Sequence, residues 1–419
     1  MGFFYFFAAL LILQSLISLR GGRRWLAYFR RELPRTLPDY APFASVIVPF
    51  RGLDQDLDEN LRALFAQDYP RYEIIFVTDS ANDKALPLIE TLRVAAADPT
   101  TGAVATRVII AGQADDCGQK VHNLSVAVGA CAPLSEVFVF VDTDARPRPR
   151  WLRALVAPLA DEQVGAATGY RWFVPVSGGF SSHLRSVWNA SIASALGHSE
   201  TQNFCWGGST AIRRATFARA DVRTHWRGAL SDDFAMTRAL KAARLPIRFV
   251  PDCLTATHED CSFAELLEFT TRQLKITRVY APHLWRIVLI SNLLFALVFF
   301  GGIALMLVRL WHGAAWLLPS AFILSIFVLG AAKAYLRLRA VALALHTEGV
   351  RARGRTLFAH LCLWPLTSVL YTYNALAAGL SRRITWRGIA YELKAPTETI
   401  VLNRTHAAQE QLERARLSD

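Results

Sequence analysis

Two carboxylates set two residues apart, Asp142 and Asp144, close the apolar run Val137-Phe138-Val139-Phe140-Val141. A stretch of β-branched and aromatic residues that stops at acid reads as a buried strand delivering carboxylates to its C-terminal tip. In open α/β sheets that tip is where ligands bind. Acidic oxygens at this spacing suit a hard divalent cation, and a cation held by few carboxylates keeps open positions for phosphate oxygens. The chemistry implied is a metal–diphosphate site. A solvated turn has the same local sequence, so residues elsewhere decide between them.

Several do so. Asp79, in Val77-Thr78-Asp79-Ser80, ends a second apolar run. It reads either as a turn residue or as a carboxylate that hydrogen-bonds a nucleobase or ribose. Lys120, in Gly118-Gln119-Lys120-Val121, opens a helix and offers a cation to a diphosphate or a base edge. Leu230-Ser231-Asp232-Asp233 pairs two acids at a helix start. Capping and the helix dipole account for one of them; the second suggests removal of a proton from an acceptor hydroxyl. Gly207 and Gly208, after Trp206, permit close backbone approach to a ligand. Arg272 and Lys275 share one helix face at i and i+3. They suit a leaving diphosphate or, alternatively, a lipid head group. His198 is a loop histidine with either a structural or a binding role.

The elements that must position these residues alternate. Residues 45–49, 73–77, 107–111 and 137–141 read as strands, and 57–67, 85–97 and 120–129 as helices, with Asp54 or Asp56 as N-cap of the first. Such alternation predicts a mostly parallel α/β sheet. Further on, 164–174, 209–213 and 246–251 read as strands, and 180–196, 232–243 and 263–279 as helices.

The 419-residue chain is 53% hydrophobic and 19% charged, oily for a soluble protein. The apolar residues gather at 3–19, 287–308 and 316–332, each of about spanning length. A less regular segment, 357–380, contains His360, Pro365 and Asn374 and reads as re-entrant or as a third C-terminal span. The expected organisation is an N-terminal transmembrane helix (1–20), a basic linker (21–42), a catalytic domain (43–285), a membrane region (286–381, with spans near 287–308 and 314–332) and a polar cytosolic tail (382–419). The net charge of +12 crowds at the ends of apolar stretches. This pattern attracts anionic lipid surfaces and, by the positive-inside rule, puts the catalytic domain in the cytoplasm, as in a bacterial inner membrane. No nucleic-acid-binding motif accompanies it. Six cysteines without CxxC or framework spacing read as reduced thiols.

Taken together, the Ser45-Val-Ile-Val-Pro49 strand, Asp79, Lys120-x-x-Asn123-Leu124, Asp142-x-Asp144, the glycine pair before Ala211-Ile-Arg-Arg214, and Ser231-Asp-Asp233 resemble the family-2-like inverting glycosyltransferases of GT-A fold. Within these the chain is most similar to the ceramide glucosyltransferase group. The resemblance implies a Rossmann-like, mostly parallel GT-A domain with transmembrane and interfacial helices. It implies a UDP-sugar donor, a membrane-lipid acceptor, and Mg²⁺ or Mn²⁺ at Asp142 and Asp144, with Asp142 serving either the ion or the nucleotide. Asp79 is then the uridine contact and Asp233 the general base. Lys120, Gly207, Gly208, His198, Asp232, Arg272 and Lys275 line the substrates. Lys275-Ile276 stands where the family has Arg-Trp. A processive polysaccharide synthase and a non-catalytic membrane scaffold are the other two readings.

Overall fold

The computed structural model describes residues 2–96, 105–345 and 354–404. These divide into two units: 36–171 with 199–255 and the stretch from 381, and 1–35 with 172–198 and 256–380.

The first unit is built on a seven-stranded sheet. Its strands are β1 (Ala44–Pro49), β2 (Tyr72–Thr78), β3 (Ala105–Ile110), β4 (Val137–Phe140), β5 (Ala166–Val174), β6 (Thr210–Arg213) and β7 (Ile247–His258). Their order is β3-β2-β1-β4-β6-β5-β7. β3, β2, β1 and β4 are parallel, and β6 runs antiparallel to β4 and to β5. The sheet is therefore mixed and mostly parallel around its first four strands, as the alternation predicts. β1, β2 and β4 are buried along their whole length, which is why they read as continuous apolar runs rather than alternating ones. The order grows one way from β1 to β2 and β3 and then reverses to β4. Such a switch point opens a crevice beyond the strand tips, where Arg51, Asp79 and Asp142 follow their strands. Phe138 and Phe140 pack edge-on against Phe217 and Trp226 at centroid distances of 5.5 and 5.7 Å. These rings anchor β4 in a core that also holds Ile47, Ile75 and Leu124.

Three local expectations need correction in this unit. β7 extends through Pro251 to His258, well past the short strand expected; proline is tolerated because β7 lies at the sheet edge. The helix Leu57–Phe65 has no side-chain cap: Asp56 is left-handed (φ 54°, ψ 28°) and caps nothing. Lastly, the expected polar tail folds. β8 (Arg383–Trp386), β9 (Ile389–Ala395) and β10 (Glu398–Arg404) form an antiparallel sheet. Ile389, Tyr391 and Leu393 alternate inward and are buried. The turn between β8 and β9 puts both Arg387 (φ 51°) and Gly388 (φ 72°) in the left-handed region, the backbone of a tight hairpin turn.

The second unit is helical. Among the described residues, three helices are long and apolar enough to cross a membrane: Gly2–Glu32, Pro282–Trp311 and Leu317–Ala344. The first corrects the sequence reading, since it runs unbroken through the arginines expected to begin a linker; arginine is a good helix former. Segment 357–380 falls in two shorter helices, Gly354–Cys362 and Trp364–Leu380. The second packs with Phe180–Ala193 and Phe263–Tyr280 through Trp188, Leu266, Leu274, Tyr371 and Ala375. Residues 172–198 and 256–285, expected as part of the catalytic domain, belong to this helical unit. Residues 346–353 and the tail beyond 404 lie outside the described residues.

Candidate active site

β4 ends at Phe140, and the two carboxylates that follow are met by two cations. Lys120 Nζ lies 2.6 Å from Asp142, and Arg171 lies 2.7 Å from Asp144 and 3.8 Å from Asp142. Lys120 enters on the first turn of the helix Gln119–Ala130. Gly118 makes this possible: a Cβ there would come within 2.5 Å of the Leu230 carbonyl oxygen. The Gly118 amide also donates to the Ala229 carbonyl at 2.8 Å. Two helix starts, 119 and 232, are thereby held side by side, and Lys120 reaches Asp232 at 3.4 Å. Gly207 completes this corner. A Cβ on it would sit 2.4 Å from Asp232 Oδ2 and 2.7 Å from Lys120 Nζ. Gly208 serves the fold instead, since its missing Cβ leaves room for the Trp206 ring. Arg171 lies over that ring at 4.9 Å.

The two acids of the Ser231-Asp232-Asp233 stretch part company. Ser231 is the N-cap of the helix Asp232–Ala242, so neither aspartate caps it. Asp232 is buried, and burial raises its pKa to about 7, against the pull of Lys120 and with the help of Asp233 and Asp142. Asp233 is half-buried, and its carboxylate accepts from the Ser231 hydroxyl and, at 2.7 Å, from the Phe234 amide. Burial also raises Asp144, despite Arg171. At Asp142 the opposite holds: Lys120 and Arg171 outweigh burial and lower it. Burial by itself would lower Lys120 and Arg171, but the facing carboxylates raise both.

Asp79 lies at the end of β2, buried against Arg51, with Arg404 at 3.9 Å. The β8–β10 sheet supplies three groups that sequence reading missed. Arg404 donates to Gln119 Oε1 at 2.9 Å, and the Tyr391 hydroxyl accepts from the Gln119 amide at 3.2 Å. Arg387, at the hairpin tip, pairs with Asp54, which also accepts from the hydroxyl of Thr143, between Asp142 and Asp144. Arg51 Nε donates to the Arg387 carbonyl at 2.9 Å. Arg146, just past the carboxylate pair, turns away from it to face Asp56 at 3.1 Å and Glu59 at 2.6 Å. A signal for the hairpin was present: Ile384-Thr-Trp-Arg-Gly-Ile-Ala-Tyr-Glu-Leu393 alternates around an Arg-Gly turn. Arg171 carried no such signal.

The donor set fits a divalent cation. Asp142 and Asp144 offer hard oxygens, and Asp144 Oδ1 is buried without a hydrogen-bond partner among the described residues. No group of three or more acidic, histidine or cysteine side chains is placed to hold an ion among the described residues. A bound ion would therefore take its other ligands from water and phosphate, the usual habit of Mg²⁺.

The structure brings Asp79, Lys120, Asp142, Asp144, Gly207, Asp232 and Asp233 into the sheet unit. His198, Arg272 and Lys275 belong to the helical unit. His198 is exposed on a bend after the helix Phe180–Ala193. Arg272 pairs with Glu268 at 3.3 Å and lies over the Phe269 ring at 5.7 Å. Lys275 is half-buried, and burial lowers its pKa. The six cysteines are all unpaired thiols.

The model of the family described as "Glycosyl transferase family 21" matches residues 3–399. The chain is similar to a ceramide glucosyltransferase of Komagataella phaffii, 33% identical over 63 residues. That match spans 15% of this chain and only 12% of the relative's length. Among solved structures it is similar to the mannosyltransferase PcManGT from Pyrobaculum calidifontis, determined with GDP-Man and Mn²⁺ (18% identity, 89% of this chain and 98% of that one, TM-score 0.44). It is also similar to glucosyl-3-phosphoglycerate synthase from Mycobacterium tuberculosis, determined with Mn²⁺ and UDP-glucose (15% identity, 57% and 78% coverage, TM-score 0.34). With the family model spanning nearly its whole length, the chain belongs to glycosyl transferase family 21.

Proposed function

We propose that the protein moves a hexose, glucose foremost, from a UDP-sugar to a hydroxyl of ceramide or a similar membrane lipid, at the cytoplasmic face and with inversion. One juxtaposition carries the reading: Asp142, from the tip of β4, and Asp232, from a helix start, meet at Lys120, and Asp144 pairs with the Arg171 that also approaches Asp142. Asp79, with Arg51 and Arg404, takes the uridine. Lys120, Arg171 and Arg387 present positive charge to the diphosphate. Asp142 and Asp144 would hold a Mg²⁺ or Mn²⁺ ion, which would supply charge stabilisation to the leaving UDP. Asp233, oriented by Ser231 and the Phe234 amide, accepts the proton of the lipid hydroxyl as that oxygen attacks the anomeric carbon. A single displacement on an α-linked donor gives a β-glycoside. Arg272 and Lys275, in the helical unit, serve a lipid head group.

A second assignment of the base has one observation in its favour. Burial brings Asp232 to about 7, the range suited to a general base. Against it, Lys120 and the Gly207 backbone cover that carboxylate.

The test is mass spectrometry of lipids made by the membrane-reconstituted protein from UDP-glucose and a lipid panel. A β-glucosylated sphingolipid is expected. Asp233→Asn should lower turnover by about 10²–10⁴ with donor KM little changed; full activity in that variant would remove Asp233 as base. Chelation should stop turnover and added Mg²⁺ or Mn²⁺ restore it. Turnover untouched by chelation would overturn the metal role of Asp142 and Asp144.

A further inference from the structure

Within the helical unit, Gly2–Glu32 and Leu317–Ala344 run parallel. Tyr5 meets Phe322 at 5.5 Å between ring centroids, and further along Lys333 donates to the Ser18 hydroxyl. At Gly22 the helices approach so closely that an added Cβ would lie 3.3 Å from Lys333 Cγ. Beyond this point they enclose a groove of about 600 Å³. Its apolar lining is Leu26, Ala27 and Leu336. The exposed Arg23, Arg30, Arg31 and Arg339 form its rim with Tyr335, and among the described residues no acidic side chain lines it. Arg339 donates to the Tyr335 hydroxyl at 3.1 Å, which holds its guanidinium at the rim. Glu32, outside the lining, pairs with Arg31 at 2.8 Å.

Parallel helices put both basic ends at the same side of the apolar spans. Four guanidiniums thus gather where the hydrocarbon-length segments end, beside the apolar Leu26, Ala27 and Leu336. Guanidinium forks match phosphate oxygens bidentately, basic pockets between spanning helices bind anionic head groups, and the volume lies in the usual range for a small ligand.

We propose that this groove is a binding site for an anionic glycerophospholipid of the surrounding bilayer, with the phosphate among Arg23, Arg30 and Arg339 and an acyl chain along Leu26 and Leu336. The site is separate from the transfer reaction and does not rest on the donor or acceptor proposed above.

The test uses the full chain in nanodiscs of phosphatidylcholine with and without phosphatidylglycerol, with the lipids retained after detergent extraction counted by native mass spectrometry. Phosphatidylglycerol should be enriched over phosphatidylcholine, and more weakly as salt rises. Each arginine near the surface contributes about a fivefold factor in affinity. Arg30→Ala with Arg339→Ala should therefore reduce the enrichment by roughly tenfold or more, while Arg309→Ala, outside the groove, leaves it unchanged. Arg23→Gln, on the same rim, gives the single-site version should the double variant fail to fold. Equal retention of both lipids by the wild type, or undiminished phosphatidylglycerol enrichment in the folded groove variants, would overturn the proposal.

Discussion

Asp232→Asn should make the protein more stable at neutral and alkaline pH, though it removes a charge that faces a lysine. In the folded protein burial holds the Asp232 proton up to about pH 7, whereas the ordinary value is 3.8. Between these values the folded state binds more protons than the unfolded one. The residue's contribution to stability is therefore intact at low pH and lost as pH rises through that window. At ~1.4 kcal/mol per pH unit, the gap corresponds to about 4 kcal/mol. Asp232 shares Lys120 with Asp142, so part of that cost belongs to the trio, and about 2 kcal/mol is the fair expectation for one amide substitution. Asparagine keeps the shape and an acceptor oxygen for Lys120, and Asp142 still pairs the lysine. The assay is the thermal midpoint of purified wild type and variant, without nucleotide or metal. At about pH 8 the variant should melt higher by roughly 4–8 °C, and near pH 4 the difference should vanish. An equal shift at both pH values, or a lower midpoint for the variant at high pH, would show that the buried charge is not what Asp232 costs the fold.

Two further substitutions probe the corner and the rim of the site. Gly207→Ala should leave the fold intact but lower turnover about a hundredfold, the scale of an ångström-sized misplacement, because its Cβ meets Asp232 Oδ2 at 2.4 Å and Lys120 Nζ at 2.7 Å; steady-state kinetics beside a thermal melt would check this. Arg387→Ala should raise the donor KM by roughly tenfold or more, the worth of a hydrogen bond to a charged group, with a smaller effect on kcat. Arg387→Lys should recover part of the loss. A change in thermal midpoint without a change in donor KM would make Arg387 only a clamp on Asp54.

The strands that carry the site were legible because their apolar runs are buried along their whole length. β1, β2 and β4 read directly as continuous runs ending at Arg51, Asp79 and Asp142. The spans were legible for the same reason: hydropathy is a local, summed property. Helix ends were less so, since Arg20 to Arg31 break the hydropathy of Gly2–Glu32 without breaking its hydrogen bonds. The tail from 382 was read as polar because its burial follows period two on one face only, and a few inward residues such as Ile389, Tyr391 and Leu393 add little to a composition.

What the sequence by itself determined is thus the carboxylate inventory, Asp79, Asp142, Asp144, Asp232 and Asp233, and the kind of element on which each one sits. What only the tertiary structure decided is which charge answers which. Arg171, on β5, faces Asp142 and Asp144 because β6 and β5 follow β4 in the sheet order. Arg387 meets Asp54 across 333 residues of chain. Asp232 turns to Lys120 while its neighbour Asp233 bonds to Ser231. The physical reason is one of range: burial patterns repeat along a few residues, so a sequence displays them. Charge pairing acts through space, and its partners are fixed only when the topology has brought them together.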